Sequence, residues 1–229
     1  MGFGSLHLTG SQQWGDPPDR EGAKRLVRRA YELGVNFIDT ADSYGPHTSE
    51  RVIRDALHPY PADLLIGTKG GKVRPAPEVW QVDGRPEHLR RALEGSLRDL
   101  GVETIDLYQF HEPDPRVPFE ESVGALIDFK REGKIRYIGI SNVSVGQLQS
   151  ARAMTEIVSV QNAYNIASRD SEGVLSACDA LGIPFMPWHP LAPRKFKQLE
   201  LSLAEVARVH NATPAQIALA WLLARRGCW

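Results

Sequence analysis

The strongest constraint in this sequence is an alternation of short apolar runs with segments of helical periodicity, repeated about seven times. Such alternation predicts parallel strands joined by helical crossovers. The apolar runs are nearly continuous, as expected for strands that helices cover on both faces or on one. The predicted strands are residues 3–8, 35–39, 64–69, 105–110, 135–140, 158–161 and 184–188.

Capping residues mark the ends of the intervening helices. N-terminal signals stand at Asp19 and Pro86, and predicted helices span 119–132 and 171–181. Three further helices begin with a capping-box pattern, in which a hydroxyl residue precedes a glutamine or glutamate by three positions: Ser144 with Gln147, Ser202 with Glu205, and Thr213 with Gln216. Glycines that follow the helical segments predict their ends.

Two architectures fit this alternation, an open doubly wound sheet and a closed eight-stranded barrel. The repeat is even from end to end, with no sign of a second domain. The dinucleotide fingerprint GxGxxG is absent, because His7 stands where the third glycine should be. The sequence therefore favours one α/β domain over residues 1–229 with the (β/α)8 barrel fold.

The barrel is expected to be incomplete. A closed barrel of this kind has eight strands and typically about 250 residues. The chain has 229 residues, about seven strands are recognisable, and the sequence ends where an eighth would begin. We therefore expect the last strand and helix to be missing, which would leave two strand edges unpaired.

Charge and composition exclude several functional classes. The net charge is -1, with 27 basic and 28 acidic residues, so no basic excess points to nucleic acid. No apolar stretch approaches the roughly 18 residues of a membrane span. Two isolated cysteines and the lack of a signal peptide predict a cytoplasmic protein. The seven histidines show neither HxH nor HExxH spacing, so no metal site is predicted.

Reactive side chains follow several of the predicted strands. In a barrel of this type the active site lies at the carboxyl ends of the strands. Asp39, Lys69 and His111 stand at three such ends, and Tyr44 follows Asp39 by five residues. Alone, each has an ordinary structural explanation: a turn cap, a solvated charge, a hydrogen-bonded histidine and a half-buried aromatic. Together on one rim, they predict an active site.

This set suits the reduction of a carbonyl group, which needs a proton donor at the oxygen. The Tyr44 hydroxyl can donate that proton, and a nearby Lys69 cation would lower its usual pKa of about 10. Asp39 would hold Lys69 in place, and His111 would orient the carbonyl. The hydride would come from a nicotinamide cofactor.

Five segments carry a resemblance to a known family, the aldo-keto reductases. They are GVNFIDTADSYG at 34–45, TKGG at 68–71, IDLYQFH at 105–111, GKIRYIGISN at 133–142 and VQNAYN at 160–165. The resemblance implies a (β/α)8 barrel that reduces aldehydes or ketones with NADPH. It implies Tyr44 as the proton donor, with Asp39, Lys69 and His111 as its partners.

The resemblance also implies a set of cofactor-binding residues. Ser141, Asn142 and Gln161 match those that hold the nicotinamide carboxamide, and Trp188 matches the aromatic that stacks on the ring. Near the cofactor, the resemblance further implies Ser5 and Leu6 after the first strand, and Pro190 and Leu191 by the pyrophosphate. The expected partner is a small carbonyl substrate, which the sequence does not identify. Oligomeric state is left open.

Two alternative functions remain at this stage. Because the barrel is expected to be incomplete, the chain could be a reductase-like regulatory or binding protein without turnover. The other alternative is a barrel enzyme that uses Lys69 as a Schiff-base nucleophile. The order of the matching segments favours the reductase.

Overall fold

The computed structural model describes residues 2–191 and 196–228, which form an α/β fold. The strands are β1 (Gly2–Gly4), β2 (Phe37–Asp39), β3 (Leu65–Gly70), β4 (Lys72–Ala76), β5 (Val79–Val82), β6 (Ile105–Phe110), β7 (Ile135–Ser141), β8 (Ser159–Ala163) and β9 (Phe185–Trp188). The helices are α1 (Arg20–Glu32), α2 (Thr48–Leu57), α3 (Pro86–Leu100), α4 (Phe119–Arg131), α5 (Val145–Met154), α6 (Glu172–Leu181), α7 (Phe196–Val209) and α8 (Pro214–Leu223).

Among the described residues, seven strands form one sheet in the order β1-β2-β3-β6-β7-β8-β9, and every neighbouring pair is parallel. The other two strands, β4 and β5, form an antiparallel hairpin directly after β3. The sheet curls into a half-barrel, which confirms the predicted barrel class and the predicted number of about seven strands.

The β9 edge of the sheet carries one further pairing. Cys228 forms an isolated parallel bridge with Phe185, and the Phe185 amide donates to the carbonyl of Gly227 at 2.8 Å. Residue 228 thus lies where an eighth parallel strand would pair. Only β2 pairs with β1 in the part of the chain described.

Most of the predicted helix caps are present. The Asp19 carboxylate accepts a hydrogen bond from the Gly22 amide at 2.7 Å. The hydroxyls of Ser144 and Thr213 each accept a hydrogen bond from the backbone amide three residues later. The side chain of the glutamine at that position in turn accepts one from the backbone amide of the cap residue. Gly101 ends α3 with a φ of 71°, a conformation that costs glycine little.

The core lies between the sheet and the helices outside it. Leu89 and Leu93 of α3 and Val123 and Leu126 of α4 are completely buried against it. Burying each such side chain contributes about 1.5–3 kcal/mol. Strands β3, β6 and β8 are the best covered, with only one residue in each that is not buried.

The first strand is shorter than predicted. The backbone leaves the extended conformation at Ser5 (φ -99°, ψ 4°) and continues as a 3-10 turn over Leu6–Leu8. The amide and the hydroxyl of Ser5 both donate to the Asp39 carbonyl at 2.9 Å. These bonds turn the chain away from the sheet, so the apolar pattern of residues 3–8 was a wrong indicator of strand length.

The predicted cap at Ser202 is also wrong. Ser202 lies inside α7, which begins at Phe196, and its hydroxyl donates to the carbonyl of Gln198 one turn earlier. Such back-bonding is typical of a serine within a helix. The preceding residues favour helix, so the helix starts before the hydroxyl residue.

Two elements were absent from the prediction. Helix α2 follows the Tyr44 turn and buries Val52, Ile53 and Ala56 at helical spacing. The β4–β5 hairpin directly follows β3. Within the described ranges, no helix combines the length and apolar character needed to cross a membrane.

The two serines predicted as caps give a stability test. Replacing Ser144 with alanine removes an N-cap and should lower the free energy of unfolding by about 1 kcal/mol. Ser202→Ala is the matched control, and within an exposed helix face it should change stability by no more than about 0.5 kcal/mol. Urea unfolding measures both, and an equal loss at the two positions would contradict this assignment of the caps.

Candidate active site

The four predicted catalytic residues meet at the carboxyl-terminal edge of the half-barrel. Asp39 ends β2, Lys69 stands one residue before the end of β3, and His111 directly follows β6. Tyr44 lies in the turn between β2 and α2. Because β2, β3 and β6 are parallel neighbours, their ends lie side by side.

Lys69 is the centre of this group. Its side chain is completely buried, and its Nζ donates to Asp39 Oδ2 and to the Thr40 carbonyl, both at 2.8 Å. An unpaired ammonium would be very unfavourable at such a site, so the two acceptors are what allow the charge there. The pair also ties the end of β3 to the end of β2.

Gln109 supports the same carboxylate, and the sequence analysis did not single it out. Its Nε2 donates to Asp39 Oδ1 at 3.1 Å, and the side chain is completely buried on β6. Both oxygens of Asp39 are therefore occupied, which fixes the orientation of the carboxylate. The signal was available, because Gln109 lies within the segment 105–111 that carries the family resemblance.

Tyr44 and His111 flank Lys69. The Nζ of Lys69 lies 5.2 Å from the centre of the Tyr44 ring. The rings of Tyr44 and His111 meet edge to face, with centroids 5.9 Å apart. Tyr44 is half-buried, whereas His111 is only 6% exposed. The Tyr44 phenol, the Lys69 cation and the His111 imidazole thus border one small region at the carboxyl-terminal edge of the half-barrel, which we call the mouth.

Burial disfavours the charge on Lys69, but attraction and hydrogen bonding to Asp39 and Tyr44 together raise the pKa of Lys69 above its usual value. Lys69 is therefore cationic at neutral pH. A nucleophilic lysine must lose its proton, so this environment is the opposite of what Schiff-base chemistry needs.

The Tyr44 phenol differs from the expectation. Burial raises the pKa of Tyr44 above its usual value, and this effect exceeds the lowering by the Lys69 charge. The predicted influence of Lys69 has the expected direction but does not decide the net shift. Tyr44 is therefore a protonated phenol at neutral pH.

Burial, with smaller contributions from the charges of Lys69 and Lys72, holds the pKa of His111 well below its usual range. Its imidazole is therefore neutral at pH 7. A neutral imidazole can still donate one hydrogen bond. Lys72 is itself held by Glu112, with Nζ and Oε2 2.6 Å apart.

A second group lies beside the first, on β7, β8 and β9. Asn142 follows β7 with a φ of 58°, and its Nδ2 donates to the His111 carbonyl at 3.0 Å. Trp188 Nε1 donates to Asn142 Oδ1 at 3.0 Å. Ser141 pairs in register with Gln161 on the neighbouring strand. The four residues predicted to hold the nicotinamide thus adjoin one another and His111.

The other predicted cofactor residues occupy the ends of this surface. Ser5 is completely buried, and its hydroxyl is bonded to Ser49 Oγ and to the Asp39 carbonyl within the protein. Leu6 is half-buried in the following 3-10 turn. Pro190 and Leu191 are half-buried in a turn after β9, directly before the undescribed residues 192–195.

An aromatic contact that the sequence did not reveal joins the β4–β5 hairpin to the loop after β1. Trp14 and Trp80 lie over the guanidinium of Arg74, at 5.5 and 3.9 Å from its carbon to the ring centres. Arg74 also donates to the carbonyls of Gln12 and Gln13. The contact fastens the β4–β5 hairpin to the loop after β1. Trp188 lies elsewhere, against Asn142.

The side chains on β7 to β9 suit a nicotinamide group chemically. Gln161 carries an amide that makes no hydrogen bond to any described residue, so a donor and an acceptor remain available at the edge of the mouth. Trp188 is half-buried and offers an indole for stacking. Asn142 is already bonded at both ends of its amide.

Sequence comparison identifies the family. The match to the aldo/keto reductase family covers residues 1–228. The chain belongs to the aldo/keto reductase family. It is 43% identical over 225 residues to an uncharacterized oxidoreductase of Schizosaccharomyces pombe, covering 98% of this chain and 73% of that protein. It is 40% identical over 232 residues to pyridoxine 4-dehydrogenase of Escherichia coli, covering 98% and 80%.

Solved aldo-keto reductases share the fold. A thermostable aldo-keto reductase in complex with the inhibitor epalrestat superposes with a TM-score of 0.87 at 34% identity, covering 99% of this chain and 81% of that one. An aldo/keto reductase of Klebsiella pneumoniae in complex with NADP and acetate gives a TM-score of 0.82 at 27% identity, covering 99% and 78%. The family's oxidoreductases and their NADP complexes agree with an enzyme that binds a nicotinamide cofactor.

The Lys69–Asp39 pair predicts a large cost for removing one partner. Asp39→Ala leaves the buried ammonium without its carboxylate and should destabilise the fold by about 3–5 kcal/mol. Asp128→Ala, which removes an exposed pair with Arg131, should cost at most about 1 kcal/mol. Denaturant unfolding measures both. Adding Lys69→Met to Asp39→Ala should restore most of the loss, and no restoration would refute the charge argument.

The neutral state of His111 predicts a pH dependence of stability. Below a pH of about 6.5 the unfolded chain binds a proton at this histidine and the folded chain does not. Stability should therefore fall with falling pH at up to about 1.4 kcal/mol per unit more steeply in the wild type than in His111→Gln. Urea unfolding between pH 7.5 and 5.5 measures the difference. Parallel curves would show that His111 is protonated in the fold.

Proposed function

We propose that this protein reduces aldehydes or ketones to alcohols with NADPH, and that Asp39, Tyr44, Lys69 and His111 carry out the proton chemistry. The observation that carries the proposal is the buried Lys69–Asp39 pair next to the Tyr44 phenol at the mouth of the half-barrel. A structural ion pair alone would not require a tyrosine and a neutral histidine on the same rim.

Tyr44 is proposed as the general acid. Its phenol is protonated at neutral pH and borders the mouth. The substrate oxygen would accept the proton from Tyr44 Oη as it gains negative charge. The Lys69 cation would then stabilise the phenolate that remains, and Asp39 keeps that cation in place. His111 would donate a hydrogen bond to the same oxygen and set the angle of the carbonyl.

Ser141, Asn142, Gln161 and Trp188 are proposed to hold the nicotinamide ring, with Ser5, Leu6, Pro190 and Leu191 along the rest of the cofactor. A reduced nicotinamide, when bound, would supply the hydride that adds to the carbonyl carbon. The free amide of Gln161 and the half-buried indole of Trp188 support this assignment. The NADP and NADPH complexes of the Klebsiella relatives support NADPH over NADH.

Pyridoxal is the first substrate to test. The Escherichia coli relative is named for the oxidation of pyridoxine, an alcohol whose aldehyde is pyridoxal. Pyridoxal is an aromatic aldehyde, and Trp14 in the loop after β1 and Trp80 in the β4–β5 hairpin offer indole rings on which it could stack. Simple aliphatic and aromatic aldehydes should be screened beside it.

The second candidate is a reductase-like binding protein without turnover. The open half-barrel favours it, because β1 offers an unpaired edge among the described strands. Such a protein would form a stable complex through that edge and would not oxidise NADPH in the presence of any carbonyl. The remaining alternative is a barrel enzyme that uses Lys69 as a Schiff-base nucleophile, and the cationic state of Lys69 disfavours it.

Tyr44→Phe tests the proposed function. Loss of the hydroxyl should lower kcat by about 10²–10⁴-fold, while NADPH binding, measured by quenching of tryptophan fluorescence, stays unchanged. Trp188→Ala should weaken NADPH binding instead. Tyr31→Phe is the matched control, because Tyr31 bonds to Asp63 on the surface. A Tyr44→Phe protein as active as wild type would disprove the role of Tyr44, and absence of NADPH oxidation in wild type would favour the binding protein.

A further inference from the structure

A second cluster of polar side chains lies behind the Tyr44 turn, outside the proposed active site. His47 is the residue before α2, Glu50 is in the first turn of α2, and Asp99 is near the end of α3. The Nδ1 of His47 lies 2.9 Å from Asp99 Oδ2 and 3.6 Å from Glu50 Oε2. One nitrogen or oxygen atom from each residue falls within 4.8 Å of the other two.

The atoms at the centre of this cluster lack hydrogen bonds. Glu50 is completely buried, and its Oε2 has no hydrogen-bond partner among the described residues. The Nδ1 of His47 is likewise buried and has no hydrogen-bond partner among the described residues. Buried polar atoms are bonded in the great majority of cases, and these two lie 3.6 Å apart, which suits a ligand that both could bind.

The charges around this point favour a cation. Glu50 and Asp99 supply two carboxylate oxygens within 4.8 Å of the His47 nitrogen. The buried Asp42 adds no full charge at neutral pH, because burial and the charge of Glu50 raise its pKa to about 8. Arg51 is an opposing charge, and its Nη1 lies 3.8 Å from Asp99 Oδ1. A divalent cation with a neutral histidine would balance the two carboxylates that face it.

The geometry points to a zinc-class divalent metal held by His47 Nδ1, Glu50 Oε2 and Asp99 Oδ2. We propose a 1:1 site of this kind, with water completing the coordination. Ligand atoms bound to Zn²⁺ at 2.0–2.2 Å in a tetrahedron stand about 3.3–3.6 Å apart. The two distances from His47, 2.9 and 3.6 Å, bracket that spacing, and all three atoms lie within 4.8 Å of one another.

The surroundings of the cluster resemble those of metal sites. Thr68 donates to the other oxygen of Glu50 at 2.7 Å, which leaves Oε2 directed at the cluster. Outer bonds of this type orient metal-binding carboxylates. The His47 ring lies against Gly95, where a Cβ would come within 3.0 Å of it. His47 is part-exposed, which gives a metal ion a path from solvent.

A metal here would fasten the Tyr44 turn to α3. Residues 44–47 connect the proposed general acid to His47, and the Thr48 hydroxyl donates to the Gly45 carbonyl within the same turn. His47 itself has a φ of 63°, which is unfavourable for a residue with a Cβ. A bond from His47 to a metal would stabilise that conformation. The metal would be structural, since its ligands lie outside the four residues at the mouth.

The sequence could not reveal this site. Asp99 follows Glu50 by 49 residues and His47 by 52, so no short motif contains all three ligands. The histidine spacing therefore predicted no metal. The proposal does not depend on reductase activity, because metal binding and turnover are measured separately.

The test uses the full chain in a Cys228→Ser background, which removes a part-exposed thiol that could bind zinc. After chelator treatment, Zn²⁺ is titrated against a chromophoric chelator, and Co²⁺ absorption reports the coordination. We expect one Zn²⁺ per chain and a rise in Tm that EDTA reverses. His47→Gln and Asp99→Asn should each weaken Zn²⁺ binding by more than roughly 10–100-fold, which is the typical cost of losing a residue that only hydrogen-bonds to a metal ligand.

Matched controls keep the test decisive. His210→Gln and Asp128→Asn alter exposed residues elsewhere and should bind Zn²⁺ like the parent. His47 and Asp99 are part-exposed, so their variants are expected to fold, and circular dichroism checks this; Glu50→Gln is a third variant. No stoichiometric binding, or binding that survives both substitutions, overturns the proposal. The proposal is also overturned if His47→Gln lowers the Tm by the same amount in Zn²⁺ and in EDTA. That result would identify a protonated His47 that bridges the two carboxylates without a metal.

Discussion

The buried ammonium of Lys69 is the constraint on which the site depends. A positive charge with no exposure is tolerated only where acceptors surround it, and here they are Asp39 and the Thr40 carbonyl. Because Asp39 is one of these acceptors, its carboxylate is fixed in place, and Gln109 donates to its other oxygen. The charge of Lys69 thus links the ends of β2, β3 and β6. The backbone carbonyl of Asp39 separately accepts both bonds from Ser5, where the first strand ends.

Parallel order then explains why a half-barrel can hold the whole candidate site. Asp39, Lys69 and His111 lie at the carboxyl ends of β2, β3 and β6, which are direct neighbours. Asn142 and Trp188 lie at the ends of β7 and β9 further along the same sheet. Every proposed residue belongs to the seven paired strands or the loops after them. The register of those strands, rather than closure of a ring, brings the residues together.

The sequence predicted the elements where local pattern and tertiary packing agree. Strand 105–110 matches β6, because every residue of it except Asp106 is buried. The sequence did not predict the features that depend on contacts between residues far apart in the chain. Nothing local shows that Ser5 will bond to Asp39, or that Trp14 and Trp80 will enclose Arg74 from opposite ends of 66 residues. The strand ends were predictable, whereas the contacts across them were not.

The raised pKa of Tyr44 clarifies what Lys69 can contribute. A phenol with a lowered pKa would already have lost part of its proton and would be a poorer reservoir of acid. Burial keeps Tyr44 protonated at neutral pH, and the cation remains nearby. The charge of Lys69 would therefore act on the phenolate that forms when the proton leaves, not on the resting phenol. In the proposed mechanism burial would keep the acid protonated and the buried charge would stabilise its conjugate base. The two effects oppose each other in the resting protein and would act one after the other during proton transfer.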